Sequence, residues 1–387
     1  MSTPLINKHK HVLSCIDMDR NIMFAFFILF FLGLLWVGAY TGIRFLVASG
    51  AISKLVSRVL YGVSILMPII MAASMMVSSK SWSSLNSVIY TVSSSWIVII
   101  SGFFFSTVIL WALYTILSKS GFQIPFSYAG YAVILCTVMF AGYGIINASN
   151  IKIKTVSLGA ETLGKELTGI NIVLVSDLHI GLVRKKNFVE KVSRKIMEQN
   201  PDMVLIAGDL IDGPKFPYEE FLSPLKSVSA PLGVYFTPGN HEAYNEENEL
   251  FYKGLPDNIT VVTDDLVQIP GTSEYVSGFD YAIESDEVFS QRVNSVIGSK
   301  TPAIAILHDP KNRAVLGASG IPLTVSGHTH GGQFFPGTLM VKILYKEKIS
   351  GLVKDALGSY YTTTGVGTAV SPARVGTDAE IVVLHTK

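Results

Sequence analysis

Cysteine is scarce: Cys15 and Cys136 are the only two in 387 residues. Cys15 precedes the first apolar run and Cys136 lies inside the fourth, so they build neither a disulfide framework nor a thiolate metal site. Any metal must then be held by oxygen and imidazole ligands. Charge is scarce as well, at 15% of residues, and the shortage is local. Residues 1–150 contain eight Lys or Arg and only two acids, Asp17 and Asp19. Nothing here forms the basic field that would hold nucleic acid. No ionisable residue sits in the middle of an apolar run, which argues against an ion pathway or proton relay.

What fills the first 150 residues is apolar. Hydrophobic residues make up 49% of the chain and the mean hydropathy is +0.44. Four runs are long enough to cross a bilayer: Ile22–Tyr40, Val59–Val77, Trp96–Leu117 and Phe126–Ile146. Residues 41–58 read as an amphipathic connection, 78–95 as a Ser-rich loop with Trp82 and Trp96 as interface anchors, and 119–125 as a turn. With four spans, the N-terminus, the 78–95 loop and the C-terminal domain share one side. Seven Lys or Arg near the spans on that side against four on the other favour a cytoplasmic catalytic domain.

The expected organisation is a membrane region over 1–150 with about four transmembrane helices, a linker over 151–169, and an α/β domain over 170–387. In that last part, apolar runs alternate with amphipathic stretches such as Asn187–Gln199 and Tyr218–Val228, the rhythm of an α/β domain whose sheet starts parallel. Short strands follow at Thr260–Val262, Leu266–Ile269 and Tyr275–Gly278.

Chemistry gathers where strands end. The run Ile170–Val175 leads into Asp177-Leu178-His179, and four later apolar runs lead into Gly208-Asp209, Gly239-Asn240-His241-Glu242, His308-Asp309 and Gly327-His328-Thr329-His330. Five of the eight histidines lie in these motifs. One histidine is as readily a half-buried structural residue; five at strand ends beside carboxylates are hard to explain that way. Carboxylates, imidazoles and one amide oxygen suit Mn, Fe, Zn or Ni better than Ca. In Asp-x-His and His-x-His an extended backbone points both side chains to one side. Gly208, Gly239 and Gly327 allow sharp turns beside the ligands.

These five blocks, in this order, resemble the signature of the calcineurin-like metallophosphoesterase superfamily over about residues 168–387. Gly-His-Thr-His-Gly-Gly-Gln at 327–333, with Gly365-Val366-Gly367 and Ser371-Pro372-Ala373-Arg374, resembles its YkuE/YaeI-like membrane-associated branch. The resemblance implies a four-layer α/β sandwich with two mixed β-sheets and two divalent metal ions, Mn favoured. It implies that Asp177, His179, Asp209 and His330 hold one metal, and that Asp209, Asn240, His308 and His328 hold the other. Asp209 would bridge together with a hydroxide. His241 would stay off the metals and act on the phosphoryl group or the leaving oxygen.

Around that set, Asp309 and Glu242 are candidates to orient an imidazole, and Arg184 and Arg374 to meet a substrate phosphate or headgroup. Each has a plainer alternative in packing or solvation. Residues 334–357 mix Phe334, Phe335, Leu339, Met340, Ile343 and Leu344 with lysines, as a lobe touching lipid would. The reading that follows is a membrane-bound dinuclear-metal phosphoesterase. It would hydrolyse a phosphoester or pyrophosphate bond, of a lipid-linked substrate, with membrane lipids as partners. Two alternatives stand beside it: a phosphatase or phosphodiesterase on a soluble substrate with the helices as anchor only, and a catalytically inactive membrane sensor or scaffold.

Overall fold

The fold is described from a computed structural model covering Gly33 and residues 36–387, apart from 79, 160, 161, 213, 214, 246, 247, 347 and 348. Most of the first expected span, with Lys8, Lys10, Cys15 and Arg20, lies outside the described residues. Among those described, three helices are long and apolar enough to cross a membrane: Lys54–Ser78, Ser84–Lys119 and Phe126–Ser149. Residues 36–48 are helical too, so the expected amphipathic connection over 41–58 is largely the end of one helix and the start of the next.

The chain divides into two compact units. Met1–Met67 and Ile99–Met139 make one; Pro68–Val98 and Phe140–Lys387 make the other. In the first, glycines let helices approach closely: a side chain at Gly42 would strike the Phe103 ring, and one at Gly130 would strike Ser49 and Ala51.

In the second unit, the Ser-rich stretch expected as a loop over 78–95 is helical from Ser84 onward. Its hydroxyls bond back into the helix, as Thr91 does to the Ser87 carbonyl at 2.8 Å and Ser95 to the Thr91 carbonyl at 2.7 Å. That internal satisfaction lets a polar segment stay helical beside an apolar one. Ser74 donates to Asn86 Oδ1 at 2.7 Å, and Asn86 returns a bond to the Ser74 carbonyl at 3.0 Å, pinning the two helix ends together. The Ser87 hydroxyl reaches the Leu182 carbonyl at 2.6 Å, and Trp82 packs edge-on against Phe221 at 5.4 Å. At the end of Phe126–Ser149, Asn147 donates to the Thr377 carbonyl at 2.9 Å.

Two six-stranded sheets form the rest of this unit. The first contains β1 (Lys152–Leu158), β2 (Asn171–Val175), β3 (Met203–Ala207), β4 (Val234–Thr237), β5 (Thr260–Val261) and β12 (Glu380–Thr386), in the order β1-β12-β2-β3-β4-β5. Only the β12–β2 pair is antiparallel. The second contains β6 (Asp265–Gln268), β7 (Tyr275–Phe279), β8 (Ile304–Leu307), β9 (Leu323–Ser326), β10 (Gly351–Lys354) and β11 (Ser359–Thr362), in the order β10-β11-β9-β8-β7-β6. Its two outer pairs are antiparallel and the inner three parallel. Residues 151–169, expected as a linker, supply the edge strand β1, paired to β12 from Lys152↔Glu380 onward.

Period-two alternation divides each strand between two faces. Leu174, Leu205, Leu384, Ile304, Ile306 and Val325 fill the layer between the sheets. Val173, Val204 and Ile206 face outward onto Val192 and Ile196 of helix Lys186–Met197 and onto Phe221. Helix Asp286–Ile297 covers the second sheet through Phe289 and Val293. The result is helices, sheet, sheet, helices. Because the central strands are parallel, their carboxyl ends gather at one edge.

Leu205 is fully buried in the inter-sheet layer. Leu205→Ala should cost about 2–5 kcal/mol, read as a lowered thermal midpoint of the detergent-solubilised protein. An unchanged midpoint would mean that this layer does not hold the domain together.

Candidate metal centre

Every motif expected to carry chemistry follows the carboxyl end of a central strand: Asp177 and His179 after β2, Asp209 after β3, Asn240 and His241 after β4, His308 after β8, His328 and His330 after β9. The backbone there is not ordinary extended chain. Asp177, His179, Asp209, His328 and His330 all have φ between 48° and 71°, in the left-handed region. Such positions cost on the order of 1–3 kcal/mol each for a non-glycine residue and persist only where their surroundings fix them. The turns also need glycine: a side chain at Gly208 (φ 80°) would enter the His308 ring, and one at Gly327 would strike Ser176 and Asp177.

The side chains converge as two groups sharing one carboxylate oxygen. In the first, His179 Nε2 lies 2.9 Å from His330 Nε2, 4.0 Å from Asp177 Oδ1 and 3.8 Å from Asp209 Oδ2; His330 Nε2 is 3.4 Å from Asp177 Oδ1. In the second, His308 Nε2 is 3.1 Å from the same Asp209 Oδ2 and 3.2 Å from Asn240 Oδ1, while His328 Nδ1 is 2.8 Å from Asn240 Oδ1. Metal–ligand bonds of about 2.0–2.2 Å place neighbouring ligand atoms roughly 3–3.5 Å apart. Five of the seven separations, 2.8–3.4 Å, are close to that size, so the clustered donors are consistent with a dinuclear metal centre.

Protonation favours the same geometry. His308 Nδ1 lies 2.7 Å from the Ala207 carbonyl and His179 Nδ1 lies 3.2 Å from Asp212 Oδ1. Each partner holds the proton on Nδ1 and leaves Nε2 turned to the cluster. Burial opposes charging His179, but Asp212, Asp209 and Asp177 outweigh it and raise its pKa to about 9. Burial also opposes charging His308, where Asp209 and Asp177 prevail and the pKa is about 10. Burial, His179 and Arg374 together hold His330 well below its ordinary value, in the neutral form that binds metal. Asp209 stays ionised: burial resists this, and the His308, His241 and His179 imidazoles overcome it.

Supporting residues surround the cluster. The Glu242 carboxylate accepts the amides of Gly239 at 2.7 Å and of Asp209 and Ile211 at 2.9 Å, fixing the two loops that carry Asp209 and Asn240. Asp309 lies 3.8 Å from His328 Nε2 and also accepts from the Lys311 amide. Arg374 is fully buried. Its guanidinium donates to the carbonyls of Thr364, Gly367 and His330, the last at 3.2 Å, so it positions the His330 loop. Arg184 is also buried, and its Nη2 donates to the Ala148 carbonyl at 2.9 Å. Sequence reasoning missed Asp212, which lies 3.2 Å from His179 Nδ1 and 3.4 Å from His241 Nδ1. The signal was its place three residues after Asp209, on the turn that follows the strand.

His241 stands with His179 and Asp212 in a further cluster of possible metal ligands. It is about one-third exposed, its Nε2 is 4.0 Å from Asp209 Oδ2, and its amide donates to Asp209 Oδ1 at 2.9 Å.

Comparison with known proteins agrees with this architecture. Residues 170–332 match the model of the calcineurin-like phosphoesterase family. An uncharacterised metallophosphoesterase of Campylobacter jejuni is 32% identical over 266 residues, covering 66% of this chain and 69% of that protein. One from Helicobacter pylori is 30% identical over 239 residues, and the chain spans 63% of its length. A zebrafish transmembrane protein with a metallophosphoesterase domain is 28% identical over 266 residues, 60% of its length. The chain belongs to the calcineurin-like phosphoesterase family.

Two outcomes follow for metal binding. Without metal, His179 and His308 are protonated at neutral pH, and an entering cation must displace those protons. Apparent affinity for Mn should therefore rise with pH until about 9–10, and metal addition at pH 7.5 should release protons into a weakly buffered solution; a flat pH dependence would contradict the arrangement. Asp212→Asn should weaken metal affinity by roughly 10- to 100-fold, measured by calorimetric titration of the metal-free protein.

Proposed function

We propose that this member of the calcineurin-like phosphoesterase family is a membrane-bound, dinuclear-metal phosphoesterase that hydrolyses a phosphoester or pyrophosphate bond of a lipid-linked substrate. The observation that carries the reading is the pair of ligand groups meeting at Asp209 Oδ2. Asp177, His179, Asp209 and His330 would hold one cation, and Asp209, Asn240, His308 and His328 the other. Two such cations, when bound, neutralise phosphoryl oxygens and lower the pKa of water.

The chain's own residues supply the rest. Asp209 would be shared by both ligand groups, its Oδ2 lying 3.8 Å from His179 Nε2 and 3.1 Å from His308 Nε2. His241 stands at the rim with its Nδ1 toward Asp212, which leaves Nε2 for the substrate. Burial and the neighbouring His179 pull its pKa down, whereas an arriving phosphate anion favours its charged form. In that form Nε2–H donates to the departing oxygen.

The lipid part of the proposal draws on two features. Three helices suit a bilayer. Helix Gly337–Tyr345 exposes Leu339, Ile343 and Leu344, the last two about two-thirds exposed, while its Tyr345 ring lies 6.1 Å from that of His328. Apolar surface beside the ligands suits an acyl or polyprenyl chain entering with its phosphate. The kinship with a transmembrane relative fits the YkuE/YaeI-like membrane-associated branch, the bacterial relatives fit a bacterial inner or plasma membrane, and the excess of Lys and Arg near the expected spans supports a cytoplasmic catalytic domain.

The test is hydrolysis by the full-length protein against lipid monophosphates, lipid pyrophosphates and a generic soluble diester, across Mn, Fe, Zn and Ni. Lipid-selective turnover should appear, falling about 10²- to 10⁴-fold in His241→Ala and to background in Asp209→Ala. Ile343→Ser with Leu344→Ser should lower kcat/KM for lipid substrates and spare the diester. Turnover of the diester alone would return the helices to the role of an anchor; no turnover with any metal would favour a sensor or scaffold.

A further inference from the structure

A second cationic site lies within the unit that contains the metal centre, and none of the metal ligands lines it. A cavity of about 610 Å³ is bounded by Trp82, Val88 and Val92 on one side and by Arg184, Lys185 and Lys186 on the other. Val88 and Val92 are one turn apart on helix Ser84–Lys119, and both are more than half exposed. Helix Lys186–Met197 begins at the cavity, and no side chain caps its N-terminus.

Arg184 is the group without an explanation. It is 8% exposed, and its Nε is buried with no hydrogen-bond partner. Its one protein acceptor is the Ala148 carbonyl, its guanidinium lies over the Phe188 ring at 4.7 Å, and no carboxylate pairs with it among the described residues. Burial pulls its pKa down to about 10, with no acidic neighbour to offset the loss of water. Lys191 adds to the positive charge: its Nζ donates to the Ser149 carbonyl at 2.6 Å, and it feels repulsion from Lys195, Arg184 and Arg194. Among the described residues, the single acid lining the cavity is Glu220. A buried guanidinium left this bare is costly unless an anion completes it.

We infer that this cavity binds an anionic phospholipid, with the headgroup phosphate on Arg184 and the start of helix Lys186–Met197, and an acyl chain along Val88, Val92 and Trp82. The charge on one wall calls for phosphate; the bare valines of a membrane-length helix on the other call for hydrocarbon. A helix N-terminus and a guanidinium both favour a phosphate oxygen over any neutral headgroup group. None of the metal ligands lines the cavity, so its occupancy is read by binding rather than by turnover.

The test uses the full-length protein in phosphatidylcholine nanodiscs doped with phosphatidylglycerol whose acyl chains carry bromine near the headgroup. Brominated phosphatidylglycerol should quench a component of the tryptophan fluorescence that is absent from Trp82→Phe, and brominated phosphatidylcholine should not. Arg184→Gln should weaken that binding roughly 10- to 100-fold, as loss of a charged hydrogen bond does, with Arg184→Lys intermediate. Glu220→Gln should tighten it, an outcome that a misfolded protein cannot give. Equal quenching by the two lipids, or unchanged binding in Arg184→Gln with Glu220→Gln also silent, overturns the assignment. Displacement of the signal by inorganic phosphate as effective as short-chain phosphatidylglycerol would make this a free-phosphate site and equally overturn it.

Discussion

The structure depends on bending five ligand-bearing residues into left-handed backbone at the ends of parallel strands. A ligand that simply continued its strand would point along the sheet face. Turning the chain sharply at Asp177, Asp209 and His328 swings carboxylate and imidazole into the gap where the edges of the two sheets meet. At on the order of 1–3 kcal/mol per residue, the combined strain is a sizeable fraction of the ~5–15 kcal/mol that stabilises a typical domain. It must be offset locally. Part of the offset is visible: the His179 amide donates to the Asp209 carbonyl at 3.1 Å, the Asp177 amide to Gly208 at 3.0 Å, and Glu242 accepts three loop amides. Metal would provide the rest, since the same turns hold imidazole nitrogens 2.9–3.3 Å apart.

That strain explains why the polar framework under the site is so heavily shared. Glu242 is fully buried, and burial with the nearby Asp209 charge pushes it up to about 7 against the pull of its amide donors. A carboxylate in that setting is kept because it fixes two ligand loops with one side chain. Asp212 does the same for two histidines, one in the ligand group and one at the rim. Precision of the site comes from such doubly used residues, and they act on backbone and ring orientation without touching substrate.

The clustered side chains were legible because strand periodicity and ligand chemistry coincide: an apolar run of five or six residues, then Asp or His. The alternation of strands and outer helices was legible from the same periodicity, and the two-sheet sandwich from the family resemblance. Three features were not. The strand Lys152–Leu158 alternates only weakly, as Ile153 and Val156 between lysines and threonine, because it is an edge strand with most of its side chains exposed. The helical turns at 84–95 were hidden by serine, whose hydroxyl favours loops until it bonds back to its own helix. The Glu242 carboxylate also accepts amides more than thirty residues away, contacts that no local pattern encodes.

Arg184 and Arg374 show where sequence stops deciding. Both were expected to meet a substrate phosphate or headgroup, both are buried, and burial lowers both pKa values to about 10. Arg374 is surrounded by carbonyls: Thr364, Gly365 and Gly367 accept from it, and Asp177 and Glu380 lie near enough to favour its charge. Its desolvation is answered inside the fold, so it is structural and holds His330. Arg184 has a single carbonyl and an aromatic face. The difference is one of compensation, not of residue type or burial. It separates a guanidinium that completes the fold from one that the fold leaves for an anion.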